Sequence, residues 1–394
     1  MTLFFAIVLS LFLVVVSLQY ILIRFMLPQR LSDTARMIIS SLLTLSINTV
    51  PLLYMRSDRI LDQLPWWHRE FIVFPYAIFL VASAFSAVLF LIVLLARSTL
   101  PKLWPRFDRS KRDFVANAAR TLAGTSFGAL AYGTYHENSA TEISRVVLSY
   151  SGLHPDLCGF RIAQVTDIHA GPFMSFESIA RTVSMANALR PDLIVLTGDY
   201  INNSPAYVDG CVRLLDDLKA NAGVFGVYGN HDYYTGIRCV REAFSKTSIF
   251  MLSNSQGSAK GLEGVLNIIG VEDPVSGWAT DAYFQDLAEI SGLVASQKFS
   301  LLLSHRPSIF KVCKNWNVEL TLAGHTHGGQ VIVPMVGERG LSLAGLFMTY
   351  THGLYESEKD PEARMYVSRG IGTILAPIRL FCKPEIVEVT LTRA

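Results

Sequence analysis

The chain has 394 residues, 51% of them hydrophobic, a net charge of +2 and a mean hydropathy of +0.36. That length allows two or three structural units, and so small a charge gives no electrostatic reason for a nucleic-acid partner. The five cysteines form no CxxC pair and none adjoins the polar clusters described below, which speaks against a thiolate metal site.

The hydrophobic excess lies at the start of the chain. Residues 1–23 and 71–96 carry no charged side chain, and 37–55 is uncharged but contains Asn48 and Pro51. Each is long enough to cross a bilayer about 30 Å thick. The expectation is an N-terminal α-helical transmembrane anchor over 1–135, with spans at about 3–23, 37–55 and 71–96 and a further one at 114–135. Trp66 and Trp67 would act as interfacial anchors. Arg24, Arg30 and Arg36 after the first span, and Arg97 to Arg112 after the third, put those loops in the cytoplasm by the positive-inside rule. Ser110-Lys111-Arg112-Asp113-Phe114-Val115 is similar to a twin-arginine export signal with Lys for the first Arg, so 114–135 is read as crossing outward. The rest of the chain would then face the periplasm or exterior of a bacterial inner membrane, with the bilayer as a partner.

Residues 136–157 are read as a linker and 158–394 as an α/β domain. FRIAQVTD reads as a buried strand. A helix over 176–190 follows, with Ile179, Val183, Ala186 and Leu189 on one face and Pro191 to end it. DLIVLTGD is a second strand, 206–220 a helix on Val208, Val212, Leu215 and Leu218, and GVFGVYGN a third strand. Strand-like runs dominate 264–393. Alternating units of this kind predict a layered α/β fold with its site at the strand carboxyl ends.

Those strand ends carry the chemistry. Asp167 and His169 follow the first run, Asp199 the second, and Asn230, His231 and Asp232 the third. His305 closes SLLLSH, and His325 and His327 lie in GHTHGG. On a strand, residues i and i+2 point to one side, so Asp167 and His169 would reach one ion. Glycines beside the ligands let the backbone turn sharply and approach closely. Two divalent ions about 3.5–4 Å apart can offset charge on a phosphodiester and lower the pKa of a water between them. An all-N/O ligand set accommodates Mn, Fe or Zn.

In these motifs (D-x-H, G-D, G-N-H-D, a lone H and G-H-x-H) the sequence resembles the calcineurin-like metallophosphoesterases over about residues 158–390. Within that family it looks most like membrane-associated bacterial phosphodiesterases, through GHTHGGQ and a late YVSRG-IG-T segment. The resemblance implies a four-layer α/β/β/α sandwich. It also implies one metal on Asp167, His169 and His327, a second on Asn230, His305 and His325, and Asp199 bridging them. His231 would be the non-ligand imidazole at the scissile phosphate, a general acid that Asp232 could orient. Arg306, Arg369 and Arg379 are candidates for binding phosphate, against a structural ion-pairing role. LSLAGLFM (341–348) is read as a hairpin packed into the core rather than an acyl-chain groove. The implied reaction is hydrolysis of a phosphodiester or pyrophosphate in a phosphorylated small molecule or lipid, with lipid-linked or envelope substrates in view. The alternatives are a broad phosphomonoesterase, a nucleotide phosphodiesterase and, less favoured, a non-catalytic phosphate sensor or a transporter.

Overall fold

The computed structural model describes residues 30–55, 109–275, 287–295, 297–334, 339–342 and 344–394, with isolated positions between 13 and 28 and between 71 and 86. The chain divides into two compact units, Met1–Thr134 and Tyr135–Ala394.

In the first unit the described helices are Asp33–Met55 and Arg109–Tyr135. Among the described residues no helix is long and apolar enough to cross a membrane. This overturns the expected transmembrane anchor, and with it the integral inner-membrane placement and the outward-facing domain. The physical reason is that uncharged does not mean apolar. Asp33–Met55 intersperses Ser40, Ser41, Thr44, Ser46, Asn48 and Thr49 among its leucines, and Arg109–Tyr135 carries Arg109, Lys111, Arg112, Asp113 and Arg120. Asn48 donates to the Gln19 side-chain oxygen at 2.7 Å and Gln19 donates to Ser83 at 2.8 Å, forming a buried polar chain. Most of the expected spans 3–23 and 71–96, with Trp66 and Trp67, lie outside the described residues.

The second unit is built on two six-stranded sheets. The first has the order β1-β14-β2-β3-β4-β5, from β1 (Glu142–Tyr150), β2 (Arg161–Val165), β3 (Leu193–Leu196), β4 (Val224–Gly226), β5 (Phe250–Met251) and β14 (Glu385–Arg393). The second has the order β12-β13-β9-β8-β7-β6, from β6 (Ser255–Gly257), β7 (Leu266–Val271), β8 (Phe299–Ser304), β9 (Leu320–Ala323), β12 (Gly353–Glu356) and β13 (Arg364–Val367). A short hairpin, β10 (Ile332–Val333) with β11 (Leu341–Ser342), stands apart. β2 to β5 run parallel, as do β7, β8, β9 and β13.

Alternation along the strands separates the layers. Ile162, Leu193 and Val195 face Leu301, Leu303, Leu320 and Leu322 between the sheets. Their neighbours Ala163, Ile194 and Leu196 instead meet Ile179, Val183, Val212, Leu215 and Phe244 of the covering helices. On the far side, Leu302, Ala323 and Met365 pack against Ile290, Ile309 and Phe310. The result is a helix–sheet–sheet–helix stack. Each fully buried Leu, Ile or Val contributes about 1.5–3 kcal/mol relative to exposure, so the strands need no surface alternation of polar residues.

Helix Phe176–Ala188 starts where the Ser175 hydroxyl accepts from the Ser178 amide. It ends before Pro191, which cannot donate the next bond. Val208–Leu215 is shorter than the expected 206–220, because Pro205–Tyr207 forms a separate turn. The segment 136–157, read as a linker, contains β1, which pairs in parallel with β14 from Glu142 to Tyr150.

That outer edge is fastened by charge. Glu385 accepts from the Ser144 hydroxyl, from the Arg369 amide at 2.8 Å and from the Arg369 guanidinium at 2.6 Å. Burial opposes ionisation of Glu385, but Arg369 outweighs it and holds the carboxyl below its ordinary value. A depressed folded pKa stabilises above the unfolded value, about 4.3, and the gain is lost as pH falls through the folded value. Glu385→Gln should therefore cost about 3 kcal/mol at pH 7. The gap from wild type should close as pH drops below about 4 in urea titrations.

Candidate metal centre

The D-x-H pair does not converge by strand pleat. β2 stops at Val165, and Asp167 and His169 lie beyond it with φ of 53° and 50°. Asp199, His325 and His327 share this left-handed conformation, at 56°, 74° and 51°. So many non-glycine residues at positive φ in one place is the kind of backbone strain that functional sites hold. Neighbouring glycines make room for it. A Cβ on Gly229 would overlap the Asp199 carboxylate, and one on Gly324 that of Asp167.

These turns gather side chains from both sheets. Asp167, His169 and His327 form one cluster, and Asp199, His305 and His325 another, each with ligand atoms within 4.8 Å of one another. His327 Nε2 is 3.0 Å from His169 Nε2 and 3.5 Å from Asp167 Oδ1. His305 Nε2 is 3.1 Å from Asp199 Oδ2, 3.1 Å from His325 Nδ1 and 3.2 Å from Asn230 Oδ1. Asp199 Oδ2 is also 3.4 Å from His169 Nε2, so this carboxylate stands between the clusters. Backbone amides hold the two carboxylates: His325 N donates to both oxygens of Asp167 at 3.0 Å, and His231 N to Asp199 Oδ1 at 2.8 Å.

The electrostatics ask for cations. His305 Nδ1 must donate to the Thr197 carbonyl at 2.8 Å, which turns Nε2 onto a nest of oxygen and nitrogen acceptors. Burial disfavours its charged form, yet Asp199 and Asp167 override this and raise its pKa to about 10. Burial lowers His169 to about 3 and His327 well below the usual imidazole range, leaving both neutral with lone pairs to offer. Burial raises Asp167 to about 6, whereas Asp199, equally buried, is held well below the carboxylate range by His305 and His231. Closely packed lone pairs, two buried carboxylates and few protons between them are the chemistry of an N/O site for hard or borderline divalent ions.

A family model described as Calcineurin-like phosphoesterase matches residues 160–329. An uncharacterized metallophosphoesterase of Bacillus subtilis, YkuE, is 30% identical over 289 residues, covering 72% of this chain and 97% of the relative. The chain belongs to the calcineurin-like metallophosphoesterase family. It is a metal-dependent phosphoesterase. A Campylobacter jejuni metallophosphoesterase, Cj0846, is 31% identical over 64% of this chain and 63% of its own length. Phosphodiesterase YaeI of Escherichia coli is 28% identical over 72% of this chain and 99% of its own.

Other side chains of the phosphoesterase stand differently from their sequence expectation. Asp232 does not orient His231. Its carboxylate is buried and accepts from the amides of Gly229 at 2.8 Å, Asp199 and Tyr200 at 3.0 Å and Ile201 at 3.3 Å. His231 is oriented instead by the Asn202 carbonyl, to which its Nδ1 donates at 2.6 Å. No side-chain pattern signals a main-chain acceptor, so the sequence could not show this. Helix Asn230–Phe244, which begins at the candidate ligand Asn230 itself, likewise has no counterpart in the sequence pattern.

The arginines serve structure. Arg306 is buried, with Nε donating to Asp273 at 2.8 Å. Arg369 is bound to Glu142 and Glu385, and Arg379 is fully buried. The 341–348 stretch does not pack inward as expected, because Leu346 and Phe347 are 63% and 56% exposed.

Proposed function

We propose that the site hydrolyses phosphodiester or pyrophosphate bonds using two divalent ions. Asp167, His169 and His327 would hold one, Asn230, His305 and His325 the other, and Asp199 would be shared. The observation that carries this reading is the place of Asp199 Oδ2, 3.1 Å from His305 Nε2 and 3.4 Å from His169 Nε2. Bound there, the ions would supply Lewis-acid charge for phosphoryl oxygens and acidify water.

The chain supplies the rest. Asn230 offers an oxygen without adding charge. His231, with Nδ1–H on the Asn202 carbonyl, presents Nε2 away from that bond. When protonated, Nε2 can hand its proton to the leaving oxygen. His231 also groups with His169 and Asp199, so the alternative role for it is as a ligand.

One experiment tests both points. Mn-loaded protein should cleave an aryl phosphodiester and lose this activity in chelator, with an aryl monoester run alongside. His231→Ala should lower turnover by about 10²–10⁴-fold while metal content is unchanged. Loss of an ion would place His231 among the ligands, and no cleavage of any ester by the loaded wild type would sink the reading.

Apolar side chains by the site support substrates with an apolar portion. Ser342 and Ala344 pack against Gly329 of the His327–Gly329 turn, and the adjoining Leu346 and Phe347 face outward. Gln330 binds the carbonyls of Ile374 and Ala376, which flank Leu375; Leu375 is 93% exposed. A short-chain phospholipid should then be cleaved faster than its deacylated glycerophosphodiester.

A further inference from the structure

Arg379 is fully buried, too deep to meet a phosphate in solution. Among the described residues no carboxylate pairs with it. Carbonyls take that place: Nη2 donates to those of Arg369 at 2.8 Å, Gly370 at 3.2 Å and Gly372 at 2.5 Å, and Nη1 to that of Cys382 at 3.0 Å. A buried cation without a carboxylate bonded to it is expensive to maintain.

What these carbonyls belong to explains the arrangement. The Gly370–Gly372 turn lies on Asp167. Ile371 N donates to the Thr166 carbonyl at 3.1 Å and Gly372 N to the Asp167 carbonyl at 2.7 Å. Gly370 has φ +68°, and a Cβ there would come within 2.6 Å of the Asp167 Cβ. The same turn touches the other sheet's ligand, since Gly372 O is 3.3 Å from His327 Nδ1. Arg379 Nη2 is itself 3.4 Å from that nitrogen. Cys382, held through its carbonyl by Arg379, donates its thiol to the His327 carbonyl at 3.2 Å. One side chain thus ties together the supports of Asp167, which follows β2, and His327, which follows β9.

We infer that Arg379 is a positioning residue for one ion of the pair, the one between Asp167, His169 and His327. It fixes the turn whose carbonyl can accept Nδ1–H of His327, and that bond keeps Nε2 bare for a metal. His305 is held from elsewhere, by the Thr197 carbonyl at 2.8 Å, and it is His305 that meets Asn230 at 3.2 Å, so the second ion should depend on the clamp much less. The inference rests on the two-ion reading above.

The test is Mn²⁺ titration of metal-free protein, read by calorimetry, by bound-metal analysis and by the electron paramagnetic resonance of the coupled pair. Wild type should bind two ions. Arg379→Ala should keep one ion at wild-type affinity, bind the other about 10–100-fold more weakly, and show an uncoupled Mn²⁺ spectrum at low loading. Arg379→Lys, which retains the charge but not the fork of donors, should fall between and serves if Arg379→Ala does not fold. Equal weakening of both ions in a folded variant, or two ions at wild-type affinity, would overturn the inference. If wild type binds fewer than two ions, the two-ion reading fails first and takes this inference with it.

Discussion

Asp199→Asn is expected to cut phosphodiesterase turnover by at least about 10³-fold and to lower the bound metal from two ions to one or none. The change keeps shape and removes one negative charge. Asp199 Oδ1 accepts from the His231 amide at 2.8 Å, so an asparagine would keep its oxygen there. Its NH₂ would then point at His305 Nε2 and His169 Nε2, where Oδ2 now stands at 3.1 and 3.4 Å. An amide nitrogen donates and has no lone pair for a cation. The buried cluster would lose the charge that offsets two divalent ions, and both sides of the site would feel it. Turnover of an aryl diester, metal analysis and circular dichroism on one preparation check this. A folded variant with two ions and near-normal turnover would show that Asp199 is not shared.

Asp232→Ala should have its largest effect on stability. Four buried amides, those of Gly229, Asp199, Tyr200 and Ile201, donate to this one carboxylate. Each buried donor left unsatisfied costs about 1–3 kcal/mol, so a loss of roughly 4 kcal/mol or more is expected. That is a large share of the roughly 5–15 kcal/mol that holds a typical domain together. Asp232→Asn should fall between, because its NH₂ would face donors that the carboxylate now satisfies. Urea unfolding midpoints should rank wild type, Asp232→Asn, then Asp232→Ala. If Asp232→Ala unfolds like wild type but loses turnover, the residue acts on chemistry through His231 after all.

The two predictions separate residues that the sequence placed in one cluster. Asn230, His231 and Asp232 are consecutive, and nothing in their order says that the first can ligate, the second sets its ring beside His169 with Nδ1 on the Asn202 carbonyl, and the third turns back to clamp the main chain. The helix that starts at Asn230 decides this, because successive side chains on it point about 100° apart. The D-x-H pair gives the same lesson. Its spacing suggested a pleated strand, and two residues at positive φ achieve the convergence instead. The membrane reading failed for a related reason. Absence of charge over 37–55 is visible in the sequence, where serine, threonine and asparagine interrupt the apolar residues, but among the described residues no helix is long and apolar enough to span.

The sequence by itself determined the kind of chemistry. Hydrophobic runs ending in Asp, Asn or His specify buried strands that deliver hard and borderline ligands, and the periodicity of Ile179, Val183 and Ala186 specifies a helix to cover them. These are local properties, carried by residue type and spacing. Tertiary structure alone decided which ligands meet, since Asp167 and His327 come from different sheets and 160 residues apart in the numbering. It also decided that Asn202 offers a carbonyl to His231 and that Arg379 fastens the turn beneath two ligands. Main-chain acceptors and buried cations leave no pattern along the chain, because their partners are set by packing between the sheets.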